Sequence, residues 1–312
     1  MPLAIGPAGV WSSFDRLAAD AVVAFAKTAE TAGYDALWTQ ETAGRDPFAL
    51  LGHLATLTTR IGLGVGIAVI YGRDAVAMRG GASTVHELSG GRMMLGLGVS
   101  HQDTVSEVRG HAYRGPLSAM REYLDAYDAA GYRGPRPHGD PPVVLAALRR
   151  RMLELAATRA DGAFPYLVPV SYVTGARRIL DAAADAAACP RPVLVVSQAC
   201  LLETDPSAAR SAAHRYLDRY LSLPNYLANL RECGYTDTEL ARPGADRVVD
   251  DLVAWGDEAT LRRRLRAMLD AGADHVAMIP LNREGLHADQ PTMEALAPPW
   301  WGSAEVGLTP RG

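Results

Sequence analysis

The residues best suited to chemistry stand at the end of a short apolar run. Between Gly91 and His101 the chain reads GRMMLGLGVSH, so a hydroxyl and an imidazole directly follow a segment built to be buried. An imidazole exchanges protons near neutral pH, which makes His101 a candidate acid or base. A structural histidine bonded to the following loop is the alternative. Gly96 and Gly98 also remove side chains from this run.

These two glycines have more than one explanation. A dinucleotide-binding turn needs a third glycine at a fixed offset and a helix directly afterwards, whereas Ser100, His101 and a polar stretch follow here. The similar stretch Gly62–Asp74 fails the same test. Glycine in a strand otherwise permits close packing, so the pattern favours a crowded barrel interior or a flat ligand against the strand ends.

Several other chemistries lack their motifs. HELSG at His86 has no second histidine at metal-ligand spacing, and the chain contains no GxSxG elbow, which argues against metal catalysis and hydrolysis. Cys189, Cys200 and Cys233 are widely spaced and form no CxxC pair. They indicate neither a disulfide framework nor a zinc site, and they fit a reducing cytoplasm.

Composition narrows the class of protein. The chain has 312 residues and 48% hydrophobic content, enough for one large α/β domain over 1–312. Its net charge of -4 argues against nucleic acid as the main partner, since phosphates require a basic surface. We find neither a signal peptide nor an apolar run of about 18 residues, so we expect a small-molecule partner, a cytoplasmic location and no membrane span.

Short runs of Val, Ile and Leu alternate with longer Ala-rich amphipathic stretches, which is typical of parallel strands with crossover helices. The predicted strands are Leu3–Gly9, Ala36–Thr39, Ile61–Ile70, Met93–Val99, Val143–Ala146, Gly162–Tyr166, Val193–Leu201 and His275–Ile279. Eight such units predict a (β/α)8 TIM barrel with its active site at the carboxyl ends of the strands.

The helix boundaries are also readable. Asp46 is placed to cap a helix that begins at Pro47, and Gly33 and Gly272 are placed to end helices in a left-handed conformation.

Two segments are longer than a simple crossover between strands requires, which predicts insertions after strands 4 and 7. Gly131–Pro142 is rich in Gly and Pro and reads as a loop. Asp205–Gly256 holds more helix than one crossover needs and could cover the barrel mouth or form a dimer surface. The tail after Leu286 looks irregular.

Five segments resemble, in order and spacing, the bacterial luciferase-like monooxygenase superfamily. They are GYDALWTQE, IGLGVGIAVIYGRD, GRMMLGLGVSH, VLAALRRRMLELAATRADGAFPYL and GDEATLRRRLRAMLDAGADHVAMI. They look most like the actinobacterial branch that uses the deazaflavin coenzyme F-420. The resemblance runs from the first predicted strand to the eighth and implies a luciferase-like barrel.

The resemblance places the cofactor ring across the carboxyl ends of the second, third and fourth strands. In this family the third strand ends in a bulge with a non-proline cis peptide bond, and the matching residues are Ala68, Val69 and Ile70. The fourth strand would contribute Val99 and Ser100, with Ser100 bonding the cofactor or capping the next segment.

The same resemblance suggests catalytic residues. His101 matches a polar position near the redox carbon in related dehydrogenases and reductases, which favours it as the proton-handling group. Glu41 follows LWTQ, where the family often has an acidic residue. It could orient His101, contact the deazaflavin or act as a base, or it could pair with Arg45 in an ordinary salt bridge.

Several residues near strand ends are candidates for substrate binding. Gln40, Tyr71 and Tyr166 have the best positions. Aromatic side chains in the predicted insertion could also wall a pocket, although core or interface packing is the commoner reason for such residues. They are Tyr216, Tyr220 and Tyr226.

The family usually holds the coenzyme phosphate where the fifth strand meets its helix, because free N–H groups and the helix dipole attract anions. The matching residues are Ala147, Leu148, Arg149 and Arg150, followed by Arg151. The family commonly has glycine, proline and lysine where this chain has the three arginines. Guanidinium groups favour an anionic tail, or the arginines form a solvated helix face, or Arg149 fills the phosphate's space.

The resemblance implies an F-420-dependent oxidoreductase that moves a hydride between deazaflavin and a small organic substrate. Homodimers are common among such relatives, and we expect one here. The arginine departure leaves two alternatives open. One is an FMN-dependent luciferase-like monooxygenase; the other is a barrel without a coenzyme that acts as an isomerase, a cyclase or a ligand-binding protein.

Overall fold

Strands and helices alternate along the chain in a computed structural model that describes residues 3–299 and 306–308. The strands are β1 (Leu3–Ile5), β2 (Ala8–Trp11), β3 (Ala36–Thr39), β4 (Gly62–Val69), β5 (Met93–Gly98), β6 (Val143–Leu145), β7 (Gly162–Ala163), β8 (Val193–Leu202), β9 (Val253–Gly256), β10 (His275–Leu281) and β11 (Val306–Leu308). Strands β2 to β8 pair in sequence, and β10 pairs with both β8 and β2. These eight parallel strands close a TIM barrel, which confirms the predicted fold class.

Helices follow the barrel strands as crossovers. They are α1 (Ala19–Thr31), α2 (Pro47–Ala55), α3 (Ala75–Leu88), α4 (Pro116–Ala129), α5 (Arg150–Arg159), α6 (Val170–Ala186), α7 (Pro206–Leu217), α8 (Pro224–Glu232), α9 (Asp237–Leu240), α10 (Asp246–Leu252), α11 (Glu258–Asp270) and α12 (Gln290–Ala295). A π-helix spans Thr104–Val108, and a 3-10 helix spans Tyr220–Ser222.

The predicted helix signals are confirmed. The carboxylate of Asp46 accepts a hydrogen bond from the Ala49 N–H at 2.9 Å, at the start of α2. Gly33 and Gly272 follow α1 and α11 with φ of +91° and +112°, a conformation that glycine adopts without steric cost. These joints lead directly into β3 and β10, so they set where two barrel strands begin.

The ends of the chain correct two predictions. Leu3–Gly9 is not one strand: β1 pairs antiparallel with β11, and the first barrel strand is β2. Pro7 separates them because it has no N–H to donate to a ladder. The tail after Leu286 is not irregular throughout, since it contains α12, capped by Asp289, and β11.

The segment between β8 and β10 contains the predicted extra helices, α7 to α10, but the sequence analysis missed β9 at its end. β8 has ten residues and β7 has two, so β7 pairs only with the start of β8. β9 pairs in parallel with Ala199–Leu202 at the other end of β8. The insertion therefore returns to the barrel sheet at the mouth.

Large side chains fill the barrel interior at the glycines of the strands. A Cβ at Gly64 would overlap the Trp38 ring, and one at Gly66 would overlap Phe164. The Trp38 and Phe164 rings lie 5.0 Å apart. Trp38 also donates to Nε2 of the buried His275 at 3.0 Å. The thinned strands thus accommodate the protein's own aromatic side chains, as the packing explanation predicts.

Candidate functional site

An irregularity in β4 opens the barrel wall at the mouth. The ladder between β4 and β5 shifts register between Val65 and Ala68, and the peptide bond between Gly66 and Ile67 is cis. Gly66 and Ile67 are half-buried, whereas the residues on either side are buried. The cis bond therefore lies before Ala68, Val69 and Ile70, at least two positions earlier than predicted.

The neighbouring strand explains where this irregularity lies. The Ile67 side chain occupies the space beside Gly98 and Gly96, where a Cβ on either glycine would crowd it. The Gly66 carbonyl accepts a hydrogen bond from Nε1 of Trp11 at 2.8 Å. The bulge is thus fitted to the two glycines of β5 and to a tryptophan on β2.

His101 lies at the mouth, just after β5. Ser100 adopts a left-handed conformation with φ of +58°, which turns the chain out of the strand. The imidazole ring lies 5.3 Å from the Tyr226 ring, and burial lowers the pKa of His101, with the charge of Arg219 adding to the effect. Among the residues that the structure describes, its imidazole has no hydrogen-bond partner. His101 is therefore neutral near pH 7 and free to accept a proton, and the loop-bonded alternative does not apply.

Glu41 lies at the mouth beside the ends of β3 and β4, with a carboxylate that is 5% exposed. One oxygen contacts Arg73 at 3.0 Å and accepts from the Val69 N–H at 2.7 Å, while the other contacts Arg109 at 3.2 Å. Of the alternatives for Glu41, the salt bridge is formed with these two arginines and not with Arg45, which donates to backbone carbonyls of Phe14 and Leu17. Glu41 thus ties the end of β4 to the loop that carries His101.

Tyr71 lies on this same side of the mouth, and Gln40 is half-buried at the end of β3. The Tyr71 ring lies 6.1 Å from Tyr113, a residue that the sequence analysis missed within a polar stretch. Burial raises the pKa of Tyr113, and the positive charge of Arg149 acts against that rise. The loop after β5 therefore brings an aromatic residue towards the arginines of α5.

The junction of β6 and α5 places the arginines outward. Ala147 is buried, Leu148 is half-buried, and Arg149, Arg150 and Arg151 are exposed. The Arg150 guanidinium donates to Glu154 at 2.9 Å, one turn further along the helix. Because Arg149 is exposed, its side chain does not fill the junction between strand and helix.

Tyrosines of the insertion and one residue after β7 form what we call the tyrosine cluster, which consists of Tyr166, Tyr216, Tyr220 and Tyr226. Tyr166 follows β7, and the other three belong to α7, the 3-10 helix and α8. The Tyr166 hydroxyl lies 2.6 Å from that of Tyr216 and 3.0 Å from that of Tyr220. The structure thus brings these residues together beside His101, which spacing in the sequence does not reveal.

His287 joins this side of the mouth from the loop after β10. Its ring lies 5.2 Å from Trp11 and 5.7 Å from Tyr216. Burial lowers the pKa of His287 to about 4, so its imidazole is neutral near pH 7. The sequence gives no signal for this residue, because no motif or predicted element of the tail after Leu286 points to the mouth.

Other site types are not evident in the described ranges, 3–299 and 306–308. Those residues contain no group of three or more His, Cys, Asp or Glu that could hold a metal ion. Cys189, Cys200 and Cys233, all within the described residues, form no disulfide bond with one another. None of the described helices is both long and apolar enough to cross a membrane.

The chain is similar to several redox enzymes. It is 31% identical over 208 residues to a 5,10-methylenetetrahydromethanopterin reductase from Methanolobus tindarius, an alignment that covers 61% of this chain and 64% of the reductase, so less than two thirds of that relative is matched. It is 28% identical over 298 residues to a putative coenzyme F-420-dependent oxidoreductase from Mycobacterium tuberculosis, covering 78% and 86% of the two chains.

Solved structures share the fold. An F-420-dependent secondary alcohol dehydrogenase in complex with an F-420-acetone adduct gives a TM-score of 0.76 at 11% identity, over 94% of this chain and 97% of that one. An FMN-containing type II Baeyer-Villiger monooxygenase from Pseudomonas putida gives 0.70 at 15% identity, over 93% and 96%. The model of the luciferase-like monooxygenase family matches residues 6–275. Because this match spans most of the chain, the protein belongs to the luciferase-like monooxygenase family.

Proposed function

We propose that this protein is a coenzyme F-420-dependent oxidoreductase that transfers a hydride between the deazaflavin and a small organic substrate. The observation that carries this proposal is the half-buried surface at Gly66 and Ile67 beside a neutral His101, at the mouth of a luciferase-like barrel. Two relatives named for F-420 or methylenetetrahydromethanopterin reduction support it.

The residues at the mouth fit such a cofactor. Ile67, Val99 and Ala146 are half-buried at the ends of three neighbouring strands whose other residues are mostly buried, so they form an apolar surface for a flat ring. Ala68, Val69 and Ile70 lie behind this surface and are buried.

The polar part of the cofactor would be held at the start of α5. The first N–H groups of a helix attract anions, and Arg149, Arg150 and Arg151 stand exposed at that end. Ala147 and Leu148 lead into this turn, and Ser100 supplies a hydroxyl at the end of β5. These residues of the β6–α5 turn and Ser100 therefore form the proposed cofactor site.

When bound, a deazaflavin supplies a ring carbon that gives or takes a hydride. His101 accounts for the accompanying proton, because its neutral imidazole accepts one from the substrate and returns it in the reverse direction. Tyr71, Tyr166 and Gln40 border the space where the substrate would lie, and Glu41 fixes the loop that carries His101.

The experiment that tests this proposal is a binding titration of the purified protein with F-420 and with FMN, each oxidised and reduced. We expect F-420 to bind and FMN to bind more weakly. His101→Ala should retain F-420 binding and lose turnover by a factor of about 100 or more, as expected when a general acid or base is removed. Failure of all four titrations would overturn the proposal.

FMN is the second candidate cofactor, favoured by the likeness to the FMN-containing monooxygenase. Flavin reacts with oxygen, whereas deazaflavin is essentially a hydride carrier, so oxygen consumption by the reduced, loaded protein distinguishes the two functions. Tight binding of FMN with rapid oxygen uptake would favour a monooxygenase. A colourless protein that binds neither cofactor would favour the redox-neutral alternative.

We also infer a single domain over 1–312 and a cytoplasmic homodimer. The three cysteines form no disulfide with one another, which fits a reducing compartment, and barrel helices commonly form the dimer contact in relatives of this kind. Light scattering after gel filtration would measure the oligomeric state, and a mass near 33.3 kDa would contradict the dimer.

A further inference from the structure

Three hydroxyl groups of the tyrosine cluster form a short hydrogen-bonded chain. Tyr166 is central, because its oxygen lies within hydrogen-bond distance of both Tyr216, at 2.6 Å, and Tyr220, at 3.0 Å. In the part of the chain that the structure describes, these hydroxyls hydrogen-bond only to one another. Their remaining hydrogen-bonding capacity is therefore not used by other described residues.

Counting protons shows that the chain of hydroxyls is incomplete. Each tyrosine hydroxyl carries one proton, and two hydrogen bonds use two of the three protons. Whichever direction the bonds take, one O–H is left without an acceptor. Burial raises the pKa of all three tyrosines, so they stay protonated near neutral pH and the third proton remains available.

The surroundings of this O–H are largely apolar, and a charge that acts on Tyr220 comes from the neighbouring Arg219. Tyr216 is 6% exposed, and Phe164, Leu201 and Leu217 are buried in the same cluster. His287 is neutral, and its ring lies 5.7 Å from Tyr216. Tyr166 and Tyr220 are half-buried, and a donor shielded from water without an acceptor costs free energy, so this surface favours a ligand with a neutral acceptor oxygen over a hydrocarbon.

The hydroxyls lie on the same side of the mouth as the proton-handling residue. Tyr226 connects the two places, since its ring lies 5.6 Å from Tyr220 and 5.3 Å from His101. A molecule bound between the two places is within reach of both the three hydroxyls and His101.

We propose that the hydroxyls of Tyr166, Tyr216 and Tyr220 form a substrate-oxygen site, and that the substrate is a neutral carbonyl compound or the matching alcohol. This assignment rests on the proposed function, which makes the mouth an oxidoreductase site. A carbonyl oxygen accepts the unused proton, and an alcohol oxygen also accepts it while offering its own proton to a hydroxyl lone pair. The same three residues therefore suit both partners of a carbonyl-alcohol pair.

The test compares ketones with hydrocarbons of the same shape. Acetone, cyclohexanone and acetophenone are paired with isobutene, methylenecyclohexane and α-methylstyrene, in which a methylene group replaces the oxygen. Binding to the F-420-loaded protein is followed by ligand-observed NMR. We expect the ketone of at least one pair to bind roughly three- to tenfold more tightly than its isostere.

Substitution then assigns this preference to the hydroxyls. The triple variant with Tyr166→Phe, Tyr216→Phe and Tyr220→Phe removes every donor and keeps the rings, so the preference should fall to within about twofold. Tyr235→Phe is the matched control, because its hydroxyl belongs to the same insertion but bonds to Asp251 at 2.8 Å. It should keep the wild-type preference.

Each outcome bears on one proposal. F-420 affinity, measured separately by fluorescence titration, should be unchanged in the triple variant, and its circular dichroism should show a folded barrel. If the wild type binds F-420 without preferring any ketone, or prefers benzoate to acetophenone, the oxygen site is wrong while the cofactor proposal stands. If the wild type fails to bind F-420, the proposed function is wrong. If a folded triple variant keeps the wild-type preference, the site is also rejected.

Discussion

On one side of the barrel mouth, the carboxylate of Glu41 is shared between Arg73 and Arg109; on the other, three tyrosine hydroxyls bond to one another. With Asp46 as a second carboxylate on Arg73, the charges balance, and that side holds the β4 end and the His101 loop in place. The hydroxyls carry no charge and retain one unused proton. The charged groups stabilise the mouth, whereas the hydroxyls keep a hydrogen-bond donor for the proposed ligand.

The largest effect is expected from breaking the charged side. Glu41→Ala leaves Arg73 and Arg109, which are 16% and 19% exposed, without their shared carboxylate. Removing one partner of a largely buried ion pair should lower the free energy of unfolding by about 3 kcal/mol, measured by urea denaturation. Glu122→Ala, which breaks an exposed pair with Arg114, should cost less than about 1 kcal/mol. Equal losses of unfolding free energy in the two variants would show that the ion pairs of Glu41 stabilise the protein no more than an exposed pair does.

The neutral state of the other side makes it sensitive to acid. Burial lowers the pKa of His287 to about 4, below its ordinary value near 6.5. The unfolded chain therefore binds a proton first, and the stability contributed by neutral His287 is complete above about pH 6.5 and is lost as the pH falls towards 4.

Unfolding measured at pH 7 and pH 5 checks this linkage. The loss of stability between these values should be smaller in His287→Phe than in the wild type by about 2 kcal/mol. His275, whose pKa burial lowers to about 4, should contribute a similar loss in both proteins. An identical pH dependence in the variant would mean that His287 is charged or solvated in the folded protein.

Within the tyrosine cluster, the central hydroxyl should matter more than a terminal one. Tyr166→Phe removes both hydrogen bonds and should lower the free energy of unfolding by about 1.5 kcal/mol, whereas Tyr216→Phe removes one and should cost about 1 kcal/mol. Thermal and urea unfolding of both variants measure the difference. A larger loss in Tyr216→Phe would show that the chain of hydroxyls has a different centre.

The smallest effect concerns the arginines at α5. Arg149 is exposed without a carboxylate partner among the described residues, whereas Arg150 donates to Glu154. Arg149→Ala should weaken F-420 binding a few-fold at low salt and less at high salt, because exposed charges are screened. Arg150→Ala should change the affinity by about half as much on a logarithmic scale. The reverse order would indicate that the anionic tail displaces Glu154.

Much of the fold could be predicted because its signals are local. The alternation of Val-rich runs with amphipathic stretches predicts the barrel, and Asp46, Gly33 and Gly272 mark helix ends through their own conformational preferences. Leu3–Gly9 was misjudged because an apolar run does not reveal which strand it pairs with. β9 was missed because its role depends on the unequal lengths of β7 and β8.

The candidate site was less predictable because it depends on contacts between distant segments. The position of the bulge at Gly66 and Ile67 follows from side-chain space left by Gly96 and Gly98 on another strand. The partners of Glu41 are 32 and 68 positions away in the chain, so the sequence suggests only the nearby Arg45 as an alternative partner. The tyrosines were visible as aromatic residues, but only the fold shows that their hydroxyls meet.

The pairing of β9 with β8 has a consequence for how this barrel can diversify. Leu202 and Gly256 are partners in the β8–β9 ladder, so the segment between them forms a closed loop with its two ends hydrogen-bonded to each other. Once such a loop is closed, lengthening it adds little entropic cost. The segment that carries Tyr216, Tyr220 and Tyr226 can therefore be lengthened, shortened or replaced as a unit. Substrate choice can change in this way while the strands that carry His101 and Ile67 keep their register.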